Sequence, residues 1–316
     1  MSAPHAHPHA HLHSHGSLTA RAALASVGLA MLLVGLKGWA AWQSGSTAML
    51  GSLADTALDL LASVITLIGV RLAAQPADDQ HRFGHGKAEA VVALVQVILI
   101  SISALGIGWR AIDRLRSGAT SVEPDTGIAV SAIAIAATVA LLAYQRAVIR
   151  RTKSVAIKAD HLHYQSDLAL NGAVIVALLL EGYAGLHGAD PAFGLLIALW
   201  LLYGAWRTTS DVLDQLMDKE WPAARKQDFI AVVLRHDEAR GIHAMRTRTS
   251  GAHDFVQFHL WVRPDMTVTE AHVVMDEVEA ALAVDFPGVE ILIHPDPEGH
   301  TDEIGYTPSE MLDHRG

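Results

Sequence analysis

The chain has 316 residues, a formal charge of −10 with histidine neutral and 51% hydrophobic residues, and its mean hydropathy is +0.28. It is too apolar for an ordinary soluble protein and too uneven for one lying wholly in a bilayer, so a membrane part joined to a soluble part is the natural reading. The acidic balance argues against a nucleic-acid binder, whose partner demands Lys and Arg. The absence of cysteine excludes disulfides, thiolate metal sites and cysteine nucleophiles, leaving His and carboxylates as the strong metal ligands.

The first 17 residues form a tail in which His5, His7, His9, His11, His13 and His15 alternate. Such a tract is either a loose metal-collecting tail or a compositional peculiarity. No cleavable signal peptide is evident, because the first apolar run is long and the tail before it is not basic. Six apolar runs follow, at 18–42, 47–74, 88–112, 126–148, 160–186 and 191–213, each near the roughly 20 residues that cross hydrocarbon. Gly and Ser interrupt several of them, as close packing between membrane helices favours. Arg and Lys gather in the connections 71–87 and 146–158 and are missing from 43–47 and 181–190. By the positive-inside rule both termini are cytoplasmic, although Arg110, Arg114 and Arg116 sit at an end expected outside.

After the membrane region, 18–213, the composition becomes that of a soluble domain, 214–298. Helical periodicity covers 222–235 and 269–284, the second with Thr269 as its expected cap. Strand patterns cover 242–249, 254–263 and 289–294, and Ser250-Gly251 marks a hairpin turn. The order helix, strand, strand, helix, strand predicts an α+β sandwich of about 80 residues, small enough to gain from a partner. Residues 299–316 read as a disordered tail.

Two pairs of ionisable residues interrupt the apolar runs. Asp55 and Asp59 lie in ADTALDLLASVITLIGV, and His163 and Asp167 lie in DHLHYQSDLALN. An ionised side chain in the bilayer costs at least a few kcal/mol, so such residues are functional by default. Each pair is spaced i, i+4, which puts both members on one helix face. Facing pairs would surround one point with three carboxylates and one imidazole, a set suited to Zn²⁺ or a similar divalent ion. Interhelical hydrogen bonds or a helix-end pair are the plainer alternative. His161 points to another face and reads as interfacial.

Two further clusters lie outside the spans. In QPADDQHRFGHGKAE, residues 75–89, Asp78, His81 and His85 share a loop with Gly84 and Gly86; it is equally well a metal site or a polar loop. In the soluble part His243, His259, His272, His294 and Asp296 are distributed over its strands and second helix. Singly each is a surface residue, but together they make a metal cluster harder to dismiss. His236, His253, His300 and His314 read as surface residues. The chain has no HExxH, Walker A or GxSxG motif, so neither hydrolysis nor nucleotide-driven pumping has its machinery.

The strings DTALD, PADDQHRFGHGKAEA, ADHLHYQSDLALNG and ILIHPDP together resemble the cation diffusion facilitator family, in its bacterial zinc and iron exporter branch, over residues 18–298. The resemblance implies a polytopic α-helical membrane domain of six transmembrane helices in the bacterial inner membrane. It further implies a ferredoxin-like, metallochaperone-like αββαβ cytoplasmic domain and a homodimer. It assigns Asp55, Asp59, His163 and Asp167 to a transport site, and Asp78, His81 and His85 to a loop site. His243, His259, His272, His294 and Asp296 then form a binuclear cytoplasmic site, and Lys87 and Asp218 a charge interlock of the dimer. The expected activity is export of Zn²⁺, with Fe²⁺, Cd²⁺, Co²⁺ or Ni²⁺ as other cargoes. Without a nucleotide site, uphill export needs an ion gradient, and the transport site can itself couple to protons, which compete with metal for the same lone pairs. The rival readings are a membrane-anchored sensor or scaffold that binds metal without moving it, and an intramembrane metal enzyme.

Overall fold

The computed structural model describes residues 9–44, 47–117, 128–184 and 189–300. Its elements, in order, are α1 (His9–Ser44), α2 (Thr47–Ala73), α3 (Ala88–Ser117), α4 (Ile128–Thr152), α5 (Val155–Ala184), α6 (Ala189–Leu216), α7 (Ala223–Val233), β1 (Gly241–Ser250), β2 (His253–Val262), α8 (Val268–Asp285) and β3 (Val289–Pro297). They divide into a helical unit, His15–Leu213, and a second unit built on the chain from Asp214. His5, His7 and nearly all of the C-terminal tail lie outside the described residues.

Six long helices occupy the positions of the six apolar runs, and α1 begins upstream of residue 18, at His9. Among the described residues four stretches are long and apolar enough to cross a membrane: Gly16–Gln43, Leu53–Ala73, Ala88–Ser117 and Pro191–Leu216. α5 has the length of a span, 30 residues. Outward-facing side chains are large and apolar, with Ile68, Ile102, Trp109 and Trp206 each more than half exposed. A soluble monomer does not present so continuous an apolar surface, whereas lipid accepts it.

The inside of this unit combines apolar residues such as Leu67, Val70 and Ile157 with small and polar ones. Ala22 and Ala23 of α1, Ala90 and Ala93 of α3, and Ala156 and Ala159 of α5 are fully buried, which lets the backbones approach closely. Gly69 is required at its crossing, because a Cβ there would lie 2.2 Å from Val92 Cγ2. Gln96 of α3 donates to Thr66 Oγ1 at 2.6 Å and to the Ala62 carbonyl at 3.1 Å, bracing α2. Ser154 accepts from the Ile157 amide at 3.1 Å at the start of α5. The same hydroxyl donates to the buried Glu89 carboxylate of α3.

In the second unit β1 and β2 form an antiparallel hairpin closed at Gly251 (φ +61°), and β3 adds parallel to β2, giving the order β1-β2-β3. The parallel partner needs a crossover, which α8 supplies. Phe229 of α7, Ile242, Phe258 and Leu260 of the strands, and Val278 and Leu282 of α8 fill the core between helices and sheet. The helix, strand, strand, helix, strand order matches the sequence reading. The cap of α8 is Thr267 rather than Thr269: its hydroxyl accepts from the Glu270 amide at 3.3 Å while Glu270 accepts from the Thr267 amide at 2.8 Å. Thr269 has no acid three residues on to close such a box, whereas Thr267 has Glu270.

Candidate metal centres

α2 and α5 bring Asp59, His163 and Asp167 together, with one ligand atom from each all lying within 4.8 Å of one another. His163 Nε2 is 3.1 Å from Asp59 Oδ1 and 3.9 Å from Asp167 Oδ2. Ligands about 2.0–2.1 Å from a tetrahedral ion lie roughly 3.3 Å apart, so the separations bracket the edge of such a site. Asp55, one helical turn earlier on α2, is exposed and is not in this group. The Tyr164 hydroxyl lies 2.9 Å from Ser63 Oγ and donates to the Ser26 carbonyl at 3.0 Å, tying α5 to α2 and α1 beside the site.

The 75–89 loop gathers Asp78, His81 and His85. Asp78 Oδ1 accepts from the Gln80 and His81 amides at 2.9 and 2.6 Å. The His81 backbone bond, first among several causes, holds the Asp78 carboxyl below the usual carboxylate range, so it stays ionised at neutral pH. His85 Nε2 lies 3.4 Å from Asp78 Oδ2, and the two imidazoles are 4.4 Å apart. Gly84 turns the loop in the left-handed region, φ +75°; Gly86 does not.

In the sheet, register lines up His243, His259 and His294 as cross-strand partners. Asp296, two residues beyond His294, projects from the same face. Its Oδ2 lies 2.7 Å from His259 Nδ1 and 3.2 Å from His243 Nε2, and its Oδ1 lies 3.4 Å from His294 Nε2. Asp296 and His243 are buried and His294 is largely exposed. Ala244, at φ +51°, accompanies the register shift that follows His243. The tight group is His243, His259 and Asp296. His272 stands apart on α8, exposed and 3.3 Å from Asp276. A donor set of two imidazoles and a buried carboxylate fits a borderline divalent ion such as Zn²⁺.

Lys87 lies at the end of the loop that carries the second cluster. Asp218 has φ +55° and lies 3.9 Å from Arg248. Sequence reasoning missed Asp160, a fully buried carboxylate held by Ser26 and Gln145. The available signal was three polar residues placed within otherwise apolar runs.

Apolar-faced helices that enclose a His and carboxylate cluster, followed in the chain by a sheet with another such cluster, are the parts a membrane transporter of metal cations needs. Comparison with known proteins bears this out. Residues 23–217 match the cation efflux transmembrane domain, and residues 222–298 match the cytoplasmic domain of cation efflux proteins. The chain is 42% identical over 282 residues to the cation-efflux pump FieF of Shigella boydii serotype 18, covering 89% of this chain and 94% of that protein. The FieF pump of Escherichia fergusonii gives the same values. A solved structure of CzrB in its Zn form is 38% identical over 27% of this chain and 98% of its own, with a TM-score of 0.26. The protein belongs to the cation diffusion facilitator family and is a cation efflux transporter.

Proposed function

We propose that the protein exports Zn²⁺ from the cytoplasm in exchange for protons, with Asp59, His163 and Asp167, joined by Asp55, as the transport site. The observation that carries this reading is the convergence of Asp59 with His163 and Asp167 from two membrane helices. Metal needs ionised carboxylates and a neutral imidazole, while protons occupy the same lone pairs, so either ligand expels the other. Opened to the cytoplasm the site takes up metal and sheds protons; opened to the other side it does the reverse. Asp55 completes the coordination when its side chain turns in toward Asp59. Fe²⁺ and Cd²⁺ are further cargoes.

The protein works as a homodimer in the bacterial inner membrane with both termini in the cytoplasm, Lys87 and Asp218 interlocking the protomers. Its domains run 18–213 and 214–298, between terminal tails. The loop residues Asp78, His81 and His85 hold a second ion. His243, His259 and Asp296, with His294 and His272 extending the set, hold resident Zn²⁺, which regulates transport by favouring one dimer arrangement.

The test is reconstitution of the full chain in liposomes with an imposed pH gradient, following Zn²⁺ entry with a trapped indicator. Wild type is expected to show gradient-dependent flux and Asp167→Ala none. A wild type that binds Zn²⁺ but carries none under any gradient overturns transport in favour of a binding scaffold.

A further inference from the structure

Asp160 lies on α5 three residues before His163 and is fully buried. Its Oδ2 accepts from Ser26 Oγ of α1 at 2.6 Å and from Gln145 Nε2 of α4 at 2.8 Å. Its Oδ1 receives no hydrogen bond from the described residues. Gln145 turns its Oε1 to His161 Nδ1, 3.1 Å away. The ionisable groups around Asp160 are His163 and Tyr164 on its own helix, His161 behind Gln145, and Arg146 next to Gln145 on α4. Tyr164 in turn feels the charges of Asp59 of α2 and of Asp167. On α1 the buried neighbours of Ser26 are Ala22, Ala23, Leu29 and Ala30, none ionisable, and Arg21 is exposed. Among the described residues no Lys or Arg pairs with Asp160; the charge that acts on it is that of His163 when protonated.

An ionised carboxylate sealed inside a membrane unit with only two neutral donors is costly, whereas the neutral acid is not. The charge of the neighbouring site decides which form holds. With the metal absent, the positive charge acting on Asp160 is the single one of a protonated His163. A bound divalent ion, which needs that imidazole neutral, puts two positive charges there in place of one and so favours the ionised acid. Asp160 is not itself among the converging ligand atoms, so it can exchange a proton without displacing metal.

We propose that Asp160 is a second proton-binding site of the transport cycle, which loses its proton when metal enters the Asp59, His163 and Asp167 site and regains it when metal leaves. The step is a simple ionisation: the Asp160 O–H bond breaks, the electron pair stays on oxygen, and the proton passes to water on the side to which the unit is open. This rests on the metal–proton exchange proposed above.

The test counts protons released per Zn²⁺ bound by the purified full-length protein in weakly buffered detergent solution, for wild type and Asp160→Asn. Asparagine keeps the size and retains an oxygen for the Ser26 and Gln145 donors. Asp160→Asn is expected to bind Zn²⁺ and release fewer protons, with a shortfall approaching about one per metal. An unchanged proton count overturns the proposal and leaves the exchange reading intact, whereas no release even from wild type overturns both. If Asp160→Asn does not fold, infrared difference spectra of the native protein replace it. Zn²⁺ should then bleach a protonated-carboxyl carbonyl band, and that band should shift in Ser26→Ala. No such band, or one indifferent to Ser26→Ala, overturns the proposal.

Discussion

His163 is the one nitrogen donor in the intramembrane group, and its nature sets which ions the group prefers. Imidazole favours Zn²⁺, while an all-oxygen set favours harder ions. His163→Asp is therefore expected to lower the preference for Zn²⁺ over Mn²⁺ in liposome competition assays; unchanged discrimination would contradict that role. In the soluble sheet, Asp296 is the shared partner of His243, His259 and His294. Asp296→Asn should weaken Zn²⁺ binding at that centre by on the order of 10–100-fold, measured by competition with a chelating dye. The loop behaves differently under acid. Because the Asp78 carboxyl is held low, chiefly by the His81 amide, its stabilising contribution is present above the unfolded carboxylate value. That contribution is lost only as pH falls through the lower folded value. If the loop holds metal, Asp78→Asn should weaken that binding at neutral pH, which metal-binding titrations against wild type would check.

Among the helices, backbone approach is what places the ligands. The missing Cβ of Gly69 admits Val92 where α2 meets α3, two turns and more beyond Asp59 on the same helix. Gly69→Ala should destabilise this crossing by about 1–3 kcal/mol, read as a lower thermal midpoint of the detergent-solubilised protein. Val92→Ala should restore part of the loss, and an additive double mutant would show that the contact is irrelevant. In the soluble unit the capping box of α8 ties helix stability to acid. The Thr267 backbone and side-chain bonds hold Glu270 below its usual range. Since the folded value is depressed, the box contributes fully above the unfolded value of 4.5 and fades as pH drops through the folded one. Thr267→Ala should cost about 1 kcal/mol at neutral pH, seen as faster amide exchange in the first turn of α8.

At the scale of the whole molecule, the described residues include three His and carboxylate groups able to hold a metal ion, in three physical settings: a helical unit, an exposed loop and a sheet. If the sheet centre regulates rather than transports, His259→Ala should reduce maximal Zn²⁺ flux while leaving the concentration for half-maximal flux nearly unchanged. An altered half-maximal concentration with full flux would mean that the sheet delivers cargo instead.

Much of this organisation was legible before any coordinates. Hydropathy marks the long helices because hydrocarbon tolerates only apolar runs of near-constant length, and strand alternation with a Ser-Gly turn marks the hairpin because side chains alternate faces. The i, i+4 spacing likewise puts His163 and Asp167 on one face of α5. Convergence between elements is another matter, because it depends on helix rotation, strand register and side-chain rotamers that no local pattern encodes. Tertiary packing alone brought Asp59 to His163 while leaving Asp55 exposed, and lined up His243, His259 and His294 while holding His272 apart on α8. It also buried Asp160 between Ser26 and Gln145, residues 134 and 15 positions away in the chain. Composition and periodicity act along the chain and so can be read from it, whereas a site assembled across helices and strands exists only once they have packed.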